Sequence, residues 1–401
     1  MSKNQKQGRG LSVQTIKIVL TGGGSGGHIT PLLSLAHALK AKNPKCFVIY
    51  IGLKGEKLNR LSDSYKVFDE VCYVTSGKFR RYHGESFLSH LIDVKTLLLN
   101  FRDIFKVFLG TFTAYRLLGK HRPSVVFSKG GFVVVPVGIA AHLRGVPIIT
   151  HDSDAIPGLA NRIIGRWATV HTTAMAPEYY PYLGGSIKQV GIPVDERVKP
   201  VDKQAQKKLK EQIDLPPDCL MLLMAGGGLG SQRLNELMVK ITPELLKKHP
   251  SLQIVHFTGS GHQDQVVEHY ERELGQEMPN RVKVFGFSSD FYAYSGAADV
   301  VLARAGATTL AELAIARKAA VIIPSPFLTG GHQLKNADEL TTHAAAEVLP
   351  NDVEPQKLLS TLDALLQNEN SREQLGRNIG SLARPNAAAE LANIVLEAAQ
   401  K

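Results

Sequence analysis

The amino-acid sequence predicts an α/β protein made of two Rossmann-like domains in series, each built on a parallel sheet. Three observations point there. The chain has 401 residues, more than the single core of one ordinary domain accommodates. A strand–glycine–helix unit occurs twice, about 200 residues apart. Short apolar runs alternate with helical patterns throughout, as parallel strands joined by helical crossovers require.

The first unit opens with the run 16–20 (IKIVL), passes through GGGSGGH (22–28) and enters a helical stretch over 31–40. The second opens with 220–224, passes through GGGLGS (226–231) and continues as a helix over 234–248. An apolar strand running into glycines and then a helix is how a βαβ unit begins. Further buried strands are predicted at 46–51, 124–128 and 147–150 in the first half, and at 253–257, 282–285, 300–302 and 320–324 in the second. The Pro- and charge-rich stretch 191–218 reads as a linker. The expected organisation is a flexible tail over 1–15, a first domain over 16–194 and a second over 195–401. The alanine-rich last helix could pack on either domain, including back on the first.

Hydrophobic residues make up 44% of the chain and charged residues 21%, a balance that excludes disordered and fibrous classes. No apolar run approaches the roughly 18 residues of a membrane span. The apolar stretch before the first glycines is too short for a signal-peptide core, so a cytosolic location is expected. Cys46, Cys72 and Cys219 are far apart, and no CxxC or HExxH occurs. A disulfide framework or thiolate metal site is therefore not expected, and the cysteines read as small buried hydrophobes. The net charge of +11 calls for an anionic partner: nucleic acid, anionic lipid or a phosphorylated substrate. Over half the excess lies in residues 76–122, where nine Lys/Arg face three Asp/Glu.

Both glycine loops have the chemistry of phosphate cradles. Glycine lets the backbone approach a ligand, and a helix N-terminus presents unpaired N–H groups at a positive dipole end. The first fits G-x-G-x-x-G at Gly22, Gly24 and Gly27. The acid that would bind a dinucleotide ribose is missing from the end of the following strand, which argues against a dehydrogenase. Neither loop continues as Gly-Lys-Ser/Thr, so neither is a P-loop. His28 closes the first loop beside the cradle; a substrate-facing and a structural role are both open to it.

Six segments together resemble the peptidoglycan UDP-GlcNAc transferases, the MurG family, which make lipid II from lipid I. They are TGGGSGGHITP (21–31), FSKGGFVVVP (127–136), HDSDAIPGLANR (151–162), AGGGLGSQRLNE (225–236), RAGATTLAE (304–312) and HQLKNA (332–337). They stand in the family's order, and the resemblance spans nearly the whole chain from residue 16. It implies a GT-B architecture: two Rossmann-like domains facing across a cleft, with the donor UDP-GlcNAc mainly on the second and the acceptor lipid I mainly on the first. It also implies inversion at the sugar's anomeric carbon, which needs a base for the acceptor hydroxyl and stabilisation of the departing diphosphate.

Carried over residue by residue, the resemblance places the donor diphosphate at Ser25, Gly26 and Gly27 and at Gly228, Leu229 and Gly230, with Ala307, Thr308 and Thr309 at a further helix N-terminus beside it. Glu312 would accept from the ribose hydroxyls. Phe287 would sit where backbone reads the uracil edge. Gln333 would hold hydroxyls of the GlcNAc ring, with Asn336 in support. His28 is the leading base and Asp154 its competitor. Asn161 is assigned to the acceptor side. Helix N-termini can stabilise the diphosphate without a cation, so neither a metal nor a cofactor is expected there. Three positions depart from the family. Gly228 stands where a serine is usual. The junction GIPVDERV offers Asp195, with Arg197 two residues on, in place of an arginine. HDSD replaces HEQN, putting Asp154 where an amide is usual.

Phe101, Phe105, Phe108, Phe112 and Tyr115 recur at helical spacing, with Arg102, Lys106, Arg116 and Lys120 beside them. The ordinary reading of this stripe is a core face packed on the first sheet. The preceding segment 77–99 interleaves Lys78, Arg80 and Arg81 with Phe79, Tyr82 and Phe87. An apolar patch rimmed by basic side chains binds anionic lipid, so this segment is expected to dock the chain on the anionic inner leaflet, as a peripheral protein of the cytoplasmic face. No nucleic-acid recognition module is found.

Overall fold

The computed structural model describes residues 15–23, 26–55, 64–77, 94–182, 184–275, 278–288, 290–327 and 331–400. Two parallel sheets organise it. The first has seven strands: β1 (Lys17–Thr21), β2 (Phe47–Leu53), β3 (Glu70–Val74), β4 (Val125–Ser128), β5 (Ile148–Asp152), β6 (Val170–Thr173) and β7 (Ser186–Gln189), in the order β3-β2-β1-β4-β5-β6-β7. The second has six: β8 (Leu220–Ala225), β9 (Leu252–Phe257), β10 (Val282–Phe285), β11 (Val300–Ala303), β12 (Ala320–Ile322) and β13 (Glu347–Val348), in the order β10-β9-β8-β11-β12-β13.

Strand order reverses at β1/β4 and at β8/β11, and a crevice opens at the carboxyl ends of strands where order reverses. Register fixes what lines it. Thr21 pairs with Ser128, so Gly22–Gly23 and Lys129–Gly131 emerge side by side. Ala225 pairs with Ala303, which does the same for the second glycine loop and Arg304–Gly306. Each glycine loop thus has a partner turn from the neighbouring strand. The fit is close: a side chain on Gly131 would meet the Gly23 carbonyl at 2.2 Å, and one on Gly230 the Thr258 carbonyl at 2.0 Å.

The terminal helix (Ala387–Gln400) returns to the first sheet. Its Leu391, Ala392, Ile394 and Val395 are buried with Ile18, Leu20, Leu35 and Leu39 in one core.

The aromatic helix (Val94–His121) corrects the expected packing. Its buried face carries Asp103, Gly110, Ala114, Leu118 and His121. A Cβ on Gly110 would lie 1.8 Å from the Thr75 carbonyl oxygen, so backbone packs on backbone along this face. The aromatic stripe points outward instead, with Phe101 75%, Phe105 60%, Phe108 70% and Phe112 59% exposed. Small residues let the helix approach closely, and the bulky ones are left on the far side. Lys78, Phe79, Arg80, Arg81, Tyr82 and Phe87, expected to dock on lipid, lie outside the described residues, as does Ser25.

Candidate active site

The second glycine loop is an open, exposed turn. Gly227 and Gly230 take positive φ (+85° and +78°), and nothing lies within 4 Å of a side chain built on Gly228. Leu229, at the tip, is 77% exposed. Ser231 caps the following helix (Gln232–Lys248), accepting from the Leu234 N–H at 3.4 Å. The Arg304 guanidinium anchors the turn, donating to Ser231 Oγ at 2.9 Å, to the Ile323 carbonyl at 3.0 Å and to Asn351 Oδ1 at 2.7 Å.

Beside it begins the helix Ala307–Ala316, whose N-cap is Gly306 with no side-chain cap. The N–H groups of Ala307, Thr308 and Thr309 therefore remain available to a ligand. Glu312 lies farther along the same helix, and its carboxyl is pushed up to about 8, by burial and then by the negative charge of Asp195. Asp195 is itself held below the ordinary range: burial opposes this, but hydrogen bonds from the Arg197 guanidinium at 2.8 and 3.0 Å prevail. Arg197 also reaches Asp290 at 3.2 Å and stacks on Tyr292 at 4.1 Å.

Phe287 follows β10 and is 42% exposed. Its own N–H and C=O make no hydrogen bond among the described residues, whereas the preceding Gly286 N–H donates to Gln263 Oε1 at 2.9 Å. Gln333, on the helix His332–Thr342, is 6% exposed. Its Oε1 accepts from the Ser325 N–H at 2.9 Å, and its NH₂ makes no hydrogen bond among the described residues.

Asn336, one turn on, joins the two domains. Its amide donates to Asp154 Oδ1 at 3.0 Å and to the Ala305 carbonyl at 3.1 Å, and its oxygen accepts from the Ala155 N–H at 3.2 Å. Tyr180 Oη donates to the Asp154 main-chain carbonyl at 3.0 Å. A cavity of about 380 Å³ adjoins this junction, bounded by Ser153 and Gln189 from the first domain and by Ala307, Asn336 and Glu339 from the second. His28 falls in the first turn of the helix Gly26–Lys42, as do Gly26 and Gly27.

Asn161 does not face an acceptor. It is 1% exposed, donates to the His151 carbonyl at 2.9 Å and to Asp152 Oδ1 at 3.0 Å, and accepts from Ser128 Oγ at 2.9 Å. Every polar atom of its amide is engaged, so it positions the loop after β5. Asp152 also accepts from Tyr182 Oη and from the Gly158 N–H. Burial raises its carboxyl, against the lowering effect of these hydrogen bonds.

Residues 18–172 match the model of the glycosyltransferase family 28 N-terminal domain, and residues 221–391 that of its C-terminal domain. A Natranaerobius thermophilus protein named UDP-N-acetylglucosamine--N-acetylmuramyl-(pentapeptide) pyrophosphoryl-undecaprenol N-acetylglucosamine transferase is 30% identical over 95% of this chain and 99% of its own length. The chain belongs to glycosyltransferase family 28. A Clostridium perfringens protein of the same name is 33% identical over 89% of this chain and 91% of its own. Among solved structures, Acinetobacter baumannii MurG matches with a TM-score of 0.69 at 24% identity, covering 96% of this chain and 99% of that one. UDP-GlcNAc 2-epimerase from Neisseria meningitidis, bound to UDP-GlcNAc, matches at 0.65 and 12% identity, covering 95% and 100%. These two show the shared GT-B fold.

The fold of this family 28 enzyme brings in a cation that sequence reasoning passed over. Lys129, inside the FSKGG segment, is 3% exposed and donates from Nζ to Ser153 Oγ. Burial lowers it to about 8, against the opposing pull of Asp154 and Asp152. A lysine directly after a buried strand was the available signal.

Proposed function

We propose that this chain transfers N-acetylglucosamine from UDP-GlcNAc to undecaprenyl-diphospho-MurNAc-pentapeptide, lipid I, giving lipid II. The observation that carries the reading is the end-to-end match, over 95% of the chain, to a transferase named for those substrates. The site chemistry agrees with it. The leaving diphosphate lies between the Gly228–Gly230 turn and the N–H groups of Ala307–Thr309, where dipole and donors stabilise the charge as the glycosidic bond breaks. Glu312 takes the ribose hydroxyls, Phe287 backbone the uracil edge and the Gln333 amide a GlcNAc hydroxyl. The acceptor approaches from the first domain, and its hydroxyl loses a proton to His28 or Asp154 as it attacks with inversion.

A lipid-anchored acceptor requires the enzyme to sit on the bilayer. Among the described residues no helix is long and apolar enough to cross a membrane. The outward stripe Phe101, Phe105, Phe108 and Phe112 supports peripheral docking: it is flanked by Arg102, Lys106 and Arg116, and such a face suits an anionic inner leaflet. The enzyme then works on the cytoplasmic face, with no nucleic-acid partner.

The test supplies purified enzyme with UDP-GlcNAc and a soluble lipid I analogue, following UDP release and the mass of the product. Acceptor-dependent UDP release with addition of one GlcNAc is expected. Glycosylation of diacylglycerol in preference to lipid I would overturn the reading in favour of a glycolipid synthase. Epimerised UDP-GlcNAc with no acceptor present would overturn it in favour of an epimerase on the same fold.

A further inference from the structure

At the end of the first sheet opposite the cleft, three side chains meet that the transfer reaction does not use. Glu70 and Cys72 are two residues apart on the edge strand β3, so they share one face. His121, the last residue of the aromatic helix, packs onto that face. Their ligand atoms all lie within 4.8 Å of one another. Cys72 Sγ is 3.7 Å from Glu70 Oε1, and His121 Nε2 is 3.4 Å from the same oxygen. His121 is only 7% exposed, and its Nε2 makes no hydrogen bond among the described residues. A buried ring nitrogen 3.4 Å from a carboxylate and within 4.8 Å of a thiol, with no hydrogen bond to either, is an arrangement that an ion would complete. In a tetrahedral zinc site, bonds of about 2.3 Å to sulfur and about 2.0 Å to nitrogen and oxygen put the ligand atoms roughly 3.3–3.6 Å apart. The two measured edges are close to that spacing.

We propose that Glu70, Cys72 and His121 form a transition-metal site, zinc by donor type, with water as the fourth ligand. Thiolate and imidazole together select zinc over magnesium or calcium. Burial raises the Cys72 thiol, and Glu70 raises it further. A bound cation outweighs both effects: the S–H proton leaves to solvent as the metal–sulfur bond forms. Lys120 opposes the site, with Nζ 3.6 Å from Glu70 Oε1, but its side chain is 69% exposed and can swing into water. Occupancy would rivet the edge strand to the aromatic helix whose outer face is bare.

The full-length chain, stripped of metal and titrated with Co²⁺, should bind one equivalent with a thiolate-to-cobalt charge-transfer band and the visible bands of tetrahedral cobalt. Zn²⁺ should displace it. The band should vanish in Cys72→Ser and His121→Gln and persist in Cys46→Ser and Cys219→Ser. Lys120→Gln should tighten binding by up to about fivefold, the most an exposed ion pair is worth. Zn²⁺ should also protect Cys72 from alkylation, a readout on wild-type protein that stands if a variant misfolds. Absence of the band in wild type, its persistence in Cys72→Ser or His121→Gln, or alkylation of Cys72 at an unchanged rate with Zn²⁺ would overturn the site.

Discussion

With Glu312 proposed to hold the donor ribose, donor binding acquires a pH dependence set by that side chain. Its carboxyl is pushed up to about 8, first by burial and then by Asp195, so most unliganded molecules carry it protonated at neutral pH. A ribose diol donates two hydrogen bonds and is held best by the ionised form. Binding of UDP-GlcNAc must then expel a proton below about pH 8. With a free-enzyme value of about 8, roughly one molecule in eleven is ionised at pH 7 and half at pH 8. Affinity should therefore rise roughly fivefold between those two conditions, about 25-fold from pH 6.5 to pH 8.5, and level off above. UDP-GlcNAc is the probe because its diphosphate diester does not titrate in this window.

Isothermal titration calorimetry in two buffers of different ionisation enthalpy measures both the affinity and the protons released, about 0.9 per site at pH 7. Glu312→Gln should flatten the profile and weaken binding at pH 8.5 by roughly 1.5–3 kcal/mol, the worth of hydrogen bonds to a charged group. The stability of the unliganded chain has the opposite sign. A carboxyl whose folded value lies above its unfolded one adds stability that is full below the unfolded value of 4.5 and is lost as pH rises toward about 8. Glu312→Gln should thus stabilise the apo enzyme relative to wild type at pH 8.5 and not at pH 4. An affinity that stays flat from pH 6.5 to 8.5, or keeps its slope in Glu312→Gln, would refute the reasoning.

Other outcomes follow from single contacts. Gln333→Ala should weaken UDP-GlcNAc about tenfold while moving UDP less than about twofold, measured by calorimetry; equal losses would mean that Gln333 does not read the sugar. Replacing Phe101, Phe105, Phe108 and Phe112 with serine should cut binding to anionic vesicles by at least about 100-fold in a sedimentation assay, with turnover of a water-soluble acceptor preserved; unchanged vesicle binding would remove the stripe from the docking surface. Lys210→Met removes the 2.8 Å ammonium partner of Asp299, to which the Met221 N–H and the Gln206 amide still donate, and should destabilise the second domain by about 1.5–3 kcal/mol, seen in urea unfolding; a loss under about 0.5 kcal/mol would show water taking the ammonium's place.

What was legible in the sequence followed burial. Central strands such as β4 (VVFS) and β8 (LMLLMA) are almost wholly buried and read as continuous apolar runs. The strands that escaped notice are polar or short: VHTT in β6, SIKQ at the β7 edge, and the two residues of β13. EVCYV in β3 sits at the other edge with Tyr73 43% exposed, and alternation there is too weak to separate from loop. The aromatic helix shows a different limit. Its period was readable, but which face turns inward depends on Gly110 meeting the Thr75 carbonyl across the sheet edge, and no periodicity encodes that.

The second glycine loop was legible because its turn needs positive φ at Gly227 and Gly230 and a close approach of Gly230 to the Thr258 carbonyl, which glycine alone permits. The partners of Asp154 were not, because they come from elsewhere in the chain. Asn336 reaches it from the second domain, and Lys129 lies beside it from the turn after β4. Asn336 shares its helix with Gln333, one turn away, so the side chain proposed to read the donor sugar and the amide that holds Asp154 move as one body. On the proposed reading, a sugar seated against Gln333 would bear on Asp154 through the Asn336 hydrogen bond. If Asp154 is the base, donor recognition and acceptor activation are coupled through the helix His332–Thr342, and Asn336→Ala should lower kcat more than it raises the KM for UDP-GlcNAc. The reverse split in steady-state kinetics would make Asn336 a donor-binding residue and leave proton abstraction to His28.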